Sequence, residues 1–523
     1  MDFLKDVVPR EYQKNILETC KKTNCLVVLP TGLGKTLIAL MLTIERMKLF
    51  PGQKVLLLAP TKPLIEQHLK YFKKYLPELF ADMQLFTGQV NSENRKKIFK
   101  TADIIFSTPQ CIANDLKKEY YKLDEVCLLI EDEAHRCVKN YDYNYIAKRY
   151  KSQAGENFRI LGLTASPGSD LKKISEICKN LSIEEVELRT RDSSDVKSYL
   201  KEREFEKVEI DFPEEFEKVR ATLTKLYEGY IEELKVRGIA FGPVNKTRLI
   251  QIQKQISNNL SRGEKNYNSM LGLSACAQAI KLQHALELLE TQTIVGLKEY
   301  LEKLRLEARN RKSKGIVRLV AKNDFNYVYS QINEFFVKGI EHPKLEYLKE
   351  IISYEMKLNP NFKAIIFSQY RDTTQAIVRT INEISGVKAK SFVGQAKRKE
   401  TGLSQKEQKK IIEEFSFGEI NILCATSIAE EGLDIPEVNA VIFYEPIPSA
   451  IRTIQRAGRT ARLEKGKWII LVTKGTRDES YYYVSKAREK KMESAIKSVK
   501  NNLSLKKGGA LNLSGKKDFQ EIL

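Results

Sequence analysis

The apolar run CLVVLP (25–30) leads straight into TGLGKT (31–36), and TLIALMLTIERM (36–47) follows with apolar residues at helical spacing. A short apolar strand, a glycine turn and a helix in direct succession restrict the fold sharply. The strand has to lie inside a parallel sheet, with the helix covering one face. The loop also carries chemistry. Gly32 and Gly34 let the backbone turn its N–H groups toward phosphate oxygens, with Thr31 ahead of them; Lys35 reaches the β- and γ-phosphates, and the Thr36 hydroxyl is placed for Mg2+. Leu29 stands where the strict pattern has its first glycine.

Such a loop needs carboxylates, and EDEAH (131–135) supplies them directly after a second continuous apolar run, VCLLI (126–130). Asp132 is expected to share the Mg2+ shell with Thr36, and Glu133 to orient or deprotonate the attacking water, since phosphoryl transfer needs balanced charge and an in-line nucleophile. P-loop ATPases present their second motif in this way. His68, His135, His284 and His342 have no partner at metal-ligand spacing, so His135 is read as a hydrogen-bonding residue.

PREYQ (9–13), the phosphate loop, APTKPL (59–64), STPQ (107–110), DEAH (132–135), TASP (164–167), IIFSQY (365–370), ATSIAEEGLDIP (425–436) and QRAGRTAR (455–462) resemble, in this order, the motif series of superfamily 2 helicases. FVGQA (392–396), GLSQKEQ (402–408) and FYEPIPSAIRTIQRAGRTAR (443–462) narrow the match. They resemble the helicase part of archaeal Hef and its relatives, the Fanconi anaemia group M and Mph1 proteins, which act at stalled replication forks. The resemblance implies ATP as the nucleotide, with Arg10 and Gln13 recognising adenine. It places Gln455 at the γ-phosphate and the water, makes Arg459 and Arg462 arginine fingers from a second lobe, and has Gly432 and Asp434 link the ATP site to the nucleic-acid track. Fingers that arrive only when the cleft closes tie hydrolysis to domain motion. Ala461 replaces the glycine of many family members.

Composition supports a polyanionic partner. Lys+Arg number 88 against Asp+Glu 68, a formal charge of +20 with a pI of about 9.3. A lysine- and glutamate-rich thermophile surface, or attraction to a membrane, gives the same sign. No apolar run approaches the roughly 18 residues of a membrane span, and MDFLKDVVPREY lacks a signal peptide's apolar core. The eight cysteines are scattered without a CxxC pair, which predicts reduced structural thiols. An intracellular protein is expected, cytoplasmic and nucleoid-associated, and the resemblance points to an archaeal source.

The expected architecture is α/β: two tandem RecA-like lobes, each a doubly wound parallel sheet, with an all-helical insertion between them. Residues 1–200 alternate helices with the strands VVLP, VLLLAP (55–60), DIIFSTP (103–109), VCLLIED (126–132) and RILGLTAS (159–166). The rhythm returns over 341–490 in KAIIFSQ (363–369), INILCAT (420–426), AVIFYEP (440–446) and WIILVT (468–473). Between them, 201–340 holds long stretches of helical spacing, such as 214–238 and 275–292, and the resemblance likens this insertion to a polymerase thumb that grips duplex or branched DNA. Its basic stretches, KNYNSM (265–270) and RLEARNRKSKGIVRLVAK (305–322), are read either as phosphate contacts or as solvated helix faces. From 491 to 523 the chain is read as a helix end followed by a basic linker. Archaeal Hef proteins continue into a nuclease domain with a paired helix-hairpin-helix. This tail supplies neither, so a nuclease domain or a replication clamp is an expected partner.

Thr61, Lys62 and Thr108 on the first lobe, with Ser368, Gln369, Gly394 and Thr426 on the second, are the expected sugar-phosphate contacts; ordinary helix capping is the alternative for each Thr or Ser. Thr164 and Ser166 of TASP are expected to couple this track to the ATP site. None of these residues reads base identity, so binding should be sequence-independent and salt-sensitive. The reading is an ATP-dependent DNA translocase and helicase acting on forked or branched DNA, moving 3′ to 5′ by the resemblance. Its rivals are an ATPase stimulated by double-stranded RNA and an ATP-switched DNA-binding module that does not unwind.

Overall fold

The computed structural model describes residues 3–155, 158–199, 203–263, 266–394, 402–427, 436, 438–449 and 466–507. The first lobe is a sheet of seven parallel strands, β1 (Cys25–Val28), β2 (Lys54–Leu58), β3 (Met83–Phe86), β4 (Ile104–Ser107), β5 (Val126–Asp132), β6 (Ile160–Thr164) and β7 (Glu185–Leu188), in the order β3-β4-β2-β5-β6-β1-β7. Its helices are α1 (Glu11–Lys22), α2 (Lys35–Leu49), α3 (Lys62–Tyr75), α4 (Ser92–Thr101), α5 (Pro109–Lys117), α6 (Asp142–Gln153), α7 (Leu171–Asn180) and the single turn α8 (Ser194–Lys197). Both faces of the sheet are covered. Leu26 and Val28 enter one apolar cluster while Cys25, Val27 and Leu29 enter the other, as strand alternation requires.

Helices α9 (Glu214–Val236), α10 (Lys246–Ser261), α11 (Tyr267–Thr291), α12 (Ile294–Arg309), α13 (Lys314–Val320) and α14 (Asn323–Val337) form the insertion. They share one core that includes Leu223, Leu249, Leu282, Leu297 and Phe335. The start of α9 suits its position, with Pro213 just ahead and Glu214, Glu215 and Glu217 in the first turn, where the helix dipole favours negative charge.

The second lobe comprises β8 (Arg203–Ile210), α15 (Lys344–Leu358), β9 (Ala364–Phe367), α16 (Arg371–Ile381), β10 (Ala389–Phe392), α17 (Gln405–Phe417), β11 (Ile422–Ala425), β12 (Ala440–Phe443), β13 (Gly466–Thr473) and α18 (Arg477–Lys507). Its six strands are again parallel, in the order β10-β11-β9-β12-β13-β8. The division at residue 201 therefore shifts. Strand β8, expected in the insertion, pairs with β13 along all eight of its residues and closes the edge of the second sheet. Its charged alternation, REFEKVEI, is that of an exposed edge strand rather than a buried one.

The helix end expected after 490 is longer and better packed than a solvated terminus, and the linker expected beyond it lies outside the described residues from 508 onward. Helix α18 runs unbroken through 490 to 507, and its Met492, Ala495, Ile496 and Val499 are buried in the first lobe's core. Lysines between these positions hide an apolar stripe, by which the helix straps the second lobe to the first. The insertion, for its part, is joined to the second lobe through polar groups. Lys344 and Asp478 form a fully buried ion pair, Lys344 Nζ also donates to the Thr291 carbonyl at 3.1 Å, and Thr373 Oγ1 donates to Gln292 Oε1 at 2.8 Å.

Candidate functional site

The phosphate loop lies between β1 and α2, at the carboxyl end of the sheet where open α/β folds bind ligands. Leu29 is fully buried, and its N–H continues the β1–β6 ladder by donating to the Thr164 carbonyl at 3.1 Å. The core requires an apolar residue there, which accounts for the missing glycine. Gly32 and Gly34 have φ values of 87° and 84°, the left-handed region that suits glycine. A Cβ at Gly34 would fall on the Gln13 amide. Gln13 is buried and braces the loop: its Nε2 donates to the Leu33 carbonyl at 3.0 Å, beside the Tyr12 hydroxyl at 2.8 Å, and its Oε1 accepts from the Arg10 N–H at 2.9 Å. Both ends of the amide are thus engaged within the chain. Arg10 lies over the Tyr199 ring, 5.2 Å from its centre.

Lys35 opens α2 and donates to the Leu29 carbonyl at 2.9 Å, with Thr36 next to it at the helix start. Strand β5 brings three acids to the same sheet end, and the fold sorts them. Glu131 is completely buried near the Cys137 thiol, and burial pushes its pKa well above the carboxylate range. Asp132, on the opposite face, accepts a hydrogen bond from His68 Nε2 at 2.8 Å. Burial acts to raise its pKa, but the His68 hydrogen bond and charge and the nearby Lys35 charge outweigh that and hold the carboxyl below its usual range. Tyr143 Oη fixes the strand end by donating to the Asp132 carbonyl at 2.7 Å.

Glu133 is in the left-handed region, at φ 52° and ψ 46°, which is uncommon for a residue other than glycine. This turns its carboxylate to 3.2 Å from His135 Nδ1. His135 Nδ1 in turn lies 3.3 Å from Thr164 Oγ1, which accepts from the Ser166 N–H at 3.1 Å. DEAH and TASP are therefore one connected set. Ser166 Oγ extends it to Met492 on α18. The Thr36 hydroxyl and the Asp132 carboxylate suit Mg2+, a hard ion that takes one or two protein oxygens and completes its shell with phosphates and water. No cluster of three or more metal-ligating His, Cys, Asp or Glu side chains occurs among the described residues.

The expected strand contacts fall at the carboxyl ends of neighbouring strands. Thr61 and Thr108 precede α3 and α5 at their N-cap positions, after the adjacent strands β2 and β4, but neither side chain makes a capping hydrogen bond. Both helices have proline in the first turn, and Lys62 Nζ donates to Gln89 Oε1 at 2.6 Å. In the second lobe, Ser368, Gln369, Gly394 and Thr426 follow the adjacent strands β9, β10 and β11. Ser368 and Thr426 are buried, 1% and 8% exposed, at the ends of β9 and β11. Gln369 and Gly394 remain partly exposed, with Arg371 Nη2 donating to the Gly394 carbonyl at 2.8 Å. Gly432, Asp434, Gln455, Arg459 and Arg462 lie outside the described residues. His68 and Arg371 are the residues that sequence reading missed. Each lies more than 20 positions from its partner, and no motif spacing marks it.

The DEAD/DEAH box helicase family matches residues 10–174 and the helicase conserved C-terminal domain residues 343–464. The crystal structure of the Pyrococcus furiosus Hef helicase domain matches with a TM-score of 0.70 and 43% identity, over 91% of this chain and 98% of that one. The chain belongs to the superfamily 2 helicases, in the Hef, Mph1 and Fanconi anaemia group M family. A putative ATP-dependent RNA helicase of Methanocaldococcus jannaschii is 39% identical over 95% of this chain and 61% of its own length. The ATP-dependent DNA helicase mph1 of Neurospora crassa is 34% identical over 90% of this chain and 41% of its own. The mouse Fanconi anemia group M protein homolog is 31% identical over 95% of this chain and 26% of its own. The chain thus spans from about a quarter to three fifths of these relatives. Residues 215–333 match a helical bundle described for putative ATP-dependent RNA helicases. As a superfamily 2 helicase the chain is an ATP-hydrolysing enzyme, and among the described residues no helix is long and apolar enough to cross a membrane.

Proposed function

We propose that this chain is a DNA translocase and helicase acting on forked or branched DNA. The observation that carries the reading is the connected set Glu133–His135–Thr164–Ser166, which runs from the candidate hydrolytic carboxylate after β5 to the end of β6 and through Met492 to α18 of the second lobe. The ATP site is thereby tied to the element that bridges the lobes, while Thr61, Lys62 and Thr108 follow β2 and β4 of the same sheet. The names of the mph1 and Fanconi anaemia group M relatives favour DNA as the strand that is moved.

In the mechanism, Arg10 and Gln13 hold the adenine end while the loop N–H groups and Lys35 hold the phosphates. Thr36 and Asp132 would hold Mg2+, which when bound would offset phosphate charge. Glu133 accepts a proton from the attacking water as its oxygen bonds to the γ-phosphorus and the bond to the ADP oxygen breaks. Gln455 positions that water, and Arg459 and Arg462 meet the charge on the transferred group as the lobes close, with Gly432 and Asp434 relaying closure to the track. Phosphate release reopens the cleft. The first lobe's contacts and those at Gln369 and Gly394 then grip in alternation, which steps the chain along one strand, 3′ to 5′. This reading sets the protein at the nucleoid of an archaeal cytoplasm, beside a nuclease domain or a replication clamp.

An RNA-stimulated ATPase is the second reading, favoured by the helical-bundle match over 215–333. ATPase rates on matched forked DNA, single-stranded DNA and double-stranded RNA separate the two. The proposal expects the greatest stimulation by forked DNA, lost in Lys35→Ala. Stimulation by duplex RNA alone would overturn it.

A further inference from the structure

The connection from β7 to β8 carries the chain from the first lobe's sheet to the second, and it holds an aromatic side chain that no motif marks. Its course along the first lobe is fixed. Arg189 donates to Asp195 Oδ2 at 2.6 Å and to Glu187 Oε2 at 2.9 Å, and Val196 of α8 is fully buried in the cluster that holds Tyr12 and Ile16 of α1. Tyr199, three residues on, is 41% exposed, and its N–H donates to the Val196 carbonyl at 2.9 Å. Its ring meets Tyr12 edge-on, with centres 5.7 Å apart, and the Arg10 guanidinium lies over it. No carboxylate pairs with Arg10 among the described residues. Arg10 Nη1 donates to the Tyr12 hydroxyl at 3.4 Å, so its partners are aromatic. Tyr12 is tied in turn to the phosphate loop, where its hydroxyl donates to the Leu33 carbonyl.

A guanidinium is a flat, weakly hydrated cation that stacks on aromatic rings, and it has two faces. Tyr199 takes one of them. We propose that the other takes the adenine ring of ATP, and that Tyr199 is the positioning residue that holds Arg10 as this platform and so favours purine over pyrimidine nucleotides. The inference rests on Arg10 standing at the adenine end of the site. Gln13 does not supply the preference by itself, because both ends of its amide are engaged, by the Leu33 carbonyl and the Arg10 N–H. Without the Tyr199 ring the Arg10 side chain regains rotamer freedom, and an incoming base has to order it. A purine offers the platform a larger face than a pyrimidine does, so it loses more. Tyr199 belongs to the connection rather than to the sheet, so the platform is complete only while that connection packs against α1. The base contact is thereby set on the segment that joins the two lobes.

The test follows ATP hydrolysis by the full chain on forked DNA in Tyr199→Ala, Tyr199→Phe and Arg10→Ala, with UTP and inorganic tripolyphosphate as competing inhibitors. In Tyr199→Ala the KM for ATP should rise about three- to thirty-fold, the worth of one cation–π contact, with KM rather than kcat carrying the loss. Inhibition by UTP should weaken less. Tripolyphosphate, which has phosphates and no base, should inhibit as before. Tyr199→Phe keeps the ring and should keep the KM. An unchanged KM in Tyr199→Ala overturns the platform. Equal weakening of ATP, UTP and tripolyphosphate also overturns it, because that pattern marks a general loosening of the phosphate loop. Arg10→Ala keeps two failures apart. A raised KM for ATP there, with Tyr199→Ala unaffected, removes Tyr199 and leaves the adenine assignment, whereas no effect in either variant removes the adenine assignment itself.

Discussion

The end of β5 and the start of α18 each bury an aspartate beside a cation, and the two carboxyls are shifted in opposite directions. Asp132 is kept ionised by the His68 hydrogen bond with Lys35 nearby, whereas burial pushes Asp478 up to about 6 even though Lys344 is in contact with it. The first carboxylate is charged in advance of a cation, which suits a catalytic cleft. The second is fully buried with its Oδ2 held by Lys344 and the Thr473 N–H, which suits a joint. The direction of the shift therefore separates the part of the molecule that does chemistry from the joint at which Lys344 holds both Asp478 and the Thr291 carbonyl of the insertion.

The largest expected effect falls on the cleft. Glu133→Gln should lower ATP turnover by about 10^2- to 10^4-fold, the worth of a general base, while nucleotide binding and melting temperature hold. A variant that binds ATP and still turns over would remove the cleft from the comparison. At the joint, Lys344→Met leaves a buried carboxylate uncompensated and should cost about 3–5 kcal/mol in denaturant unfolding. Lys344→Met with Asp478→Leu should recover most of that loss. No recovery would show that the pair contributes more than its desolvation takes away.

His68→Ala sharpens the cleft side, because Asp132 then loses the partner that orients it. The Mg2+ concentration for half-maximal ATPase should rise by about 10- to 100-fold, as for other residues that hold a metal ligand in place. The smallest effect is on pH. The folded pKa of Asp478 is raised, so its contribution to stability is full below about 4, the unfolded value, and lost as pH rises to about 6. Glu287 has the opposite sign. Burial works against its ionisation, but His284 and Lys246 lower it to about 2, so its stabilisation is present above its unfolded value and is lost as pH falls toward 2. Asp478→Asn should abolish the first trend in melting temperature against pH and leave the second.

The nine strands legible as apolar runs are the interior strands of the two sheets, where neighbours and helices cover both faces. The four missed, β3, β7, β8 and β10, are the sheet edges. Edge strands alternate polar and apolar residues or carry charge, so REFEKVEI and AKSF contain no run to detect. The site followed the same logic. Lys35, Asp132 and Glu133 stand in motifs whose order mirrors strand ends, while His68 reaches Asp132 only because the fold brings a side chain of α3 to the end of β5 in space. Helix α18 was hidden because its apolar positions are set among lysines, and its core is supplied by the other lobe.

ATP-dependent strand displacement on a three-way fork, comparing the intact chain with Lys35→Ala, tests the central claim most directly. The account predicts displacement or branch migration that requires ATP, is abolished by the substitution, and exceeds that on matched double-stranded RNA. Full ATPase activity with no strand moved on any fork would contradict it.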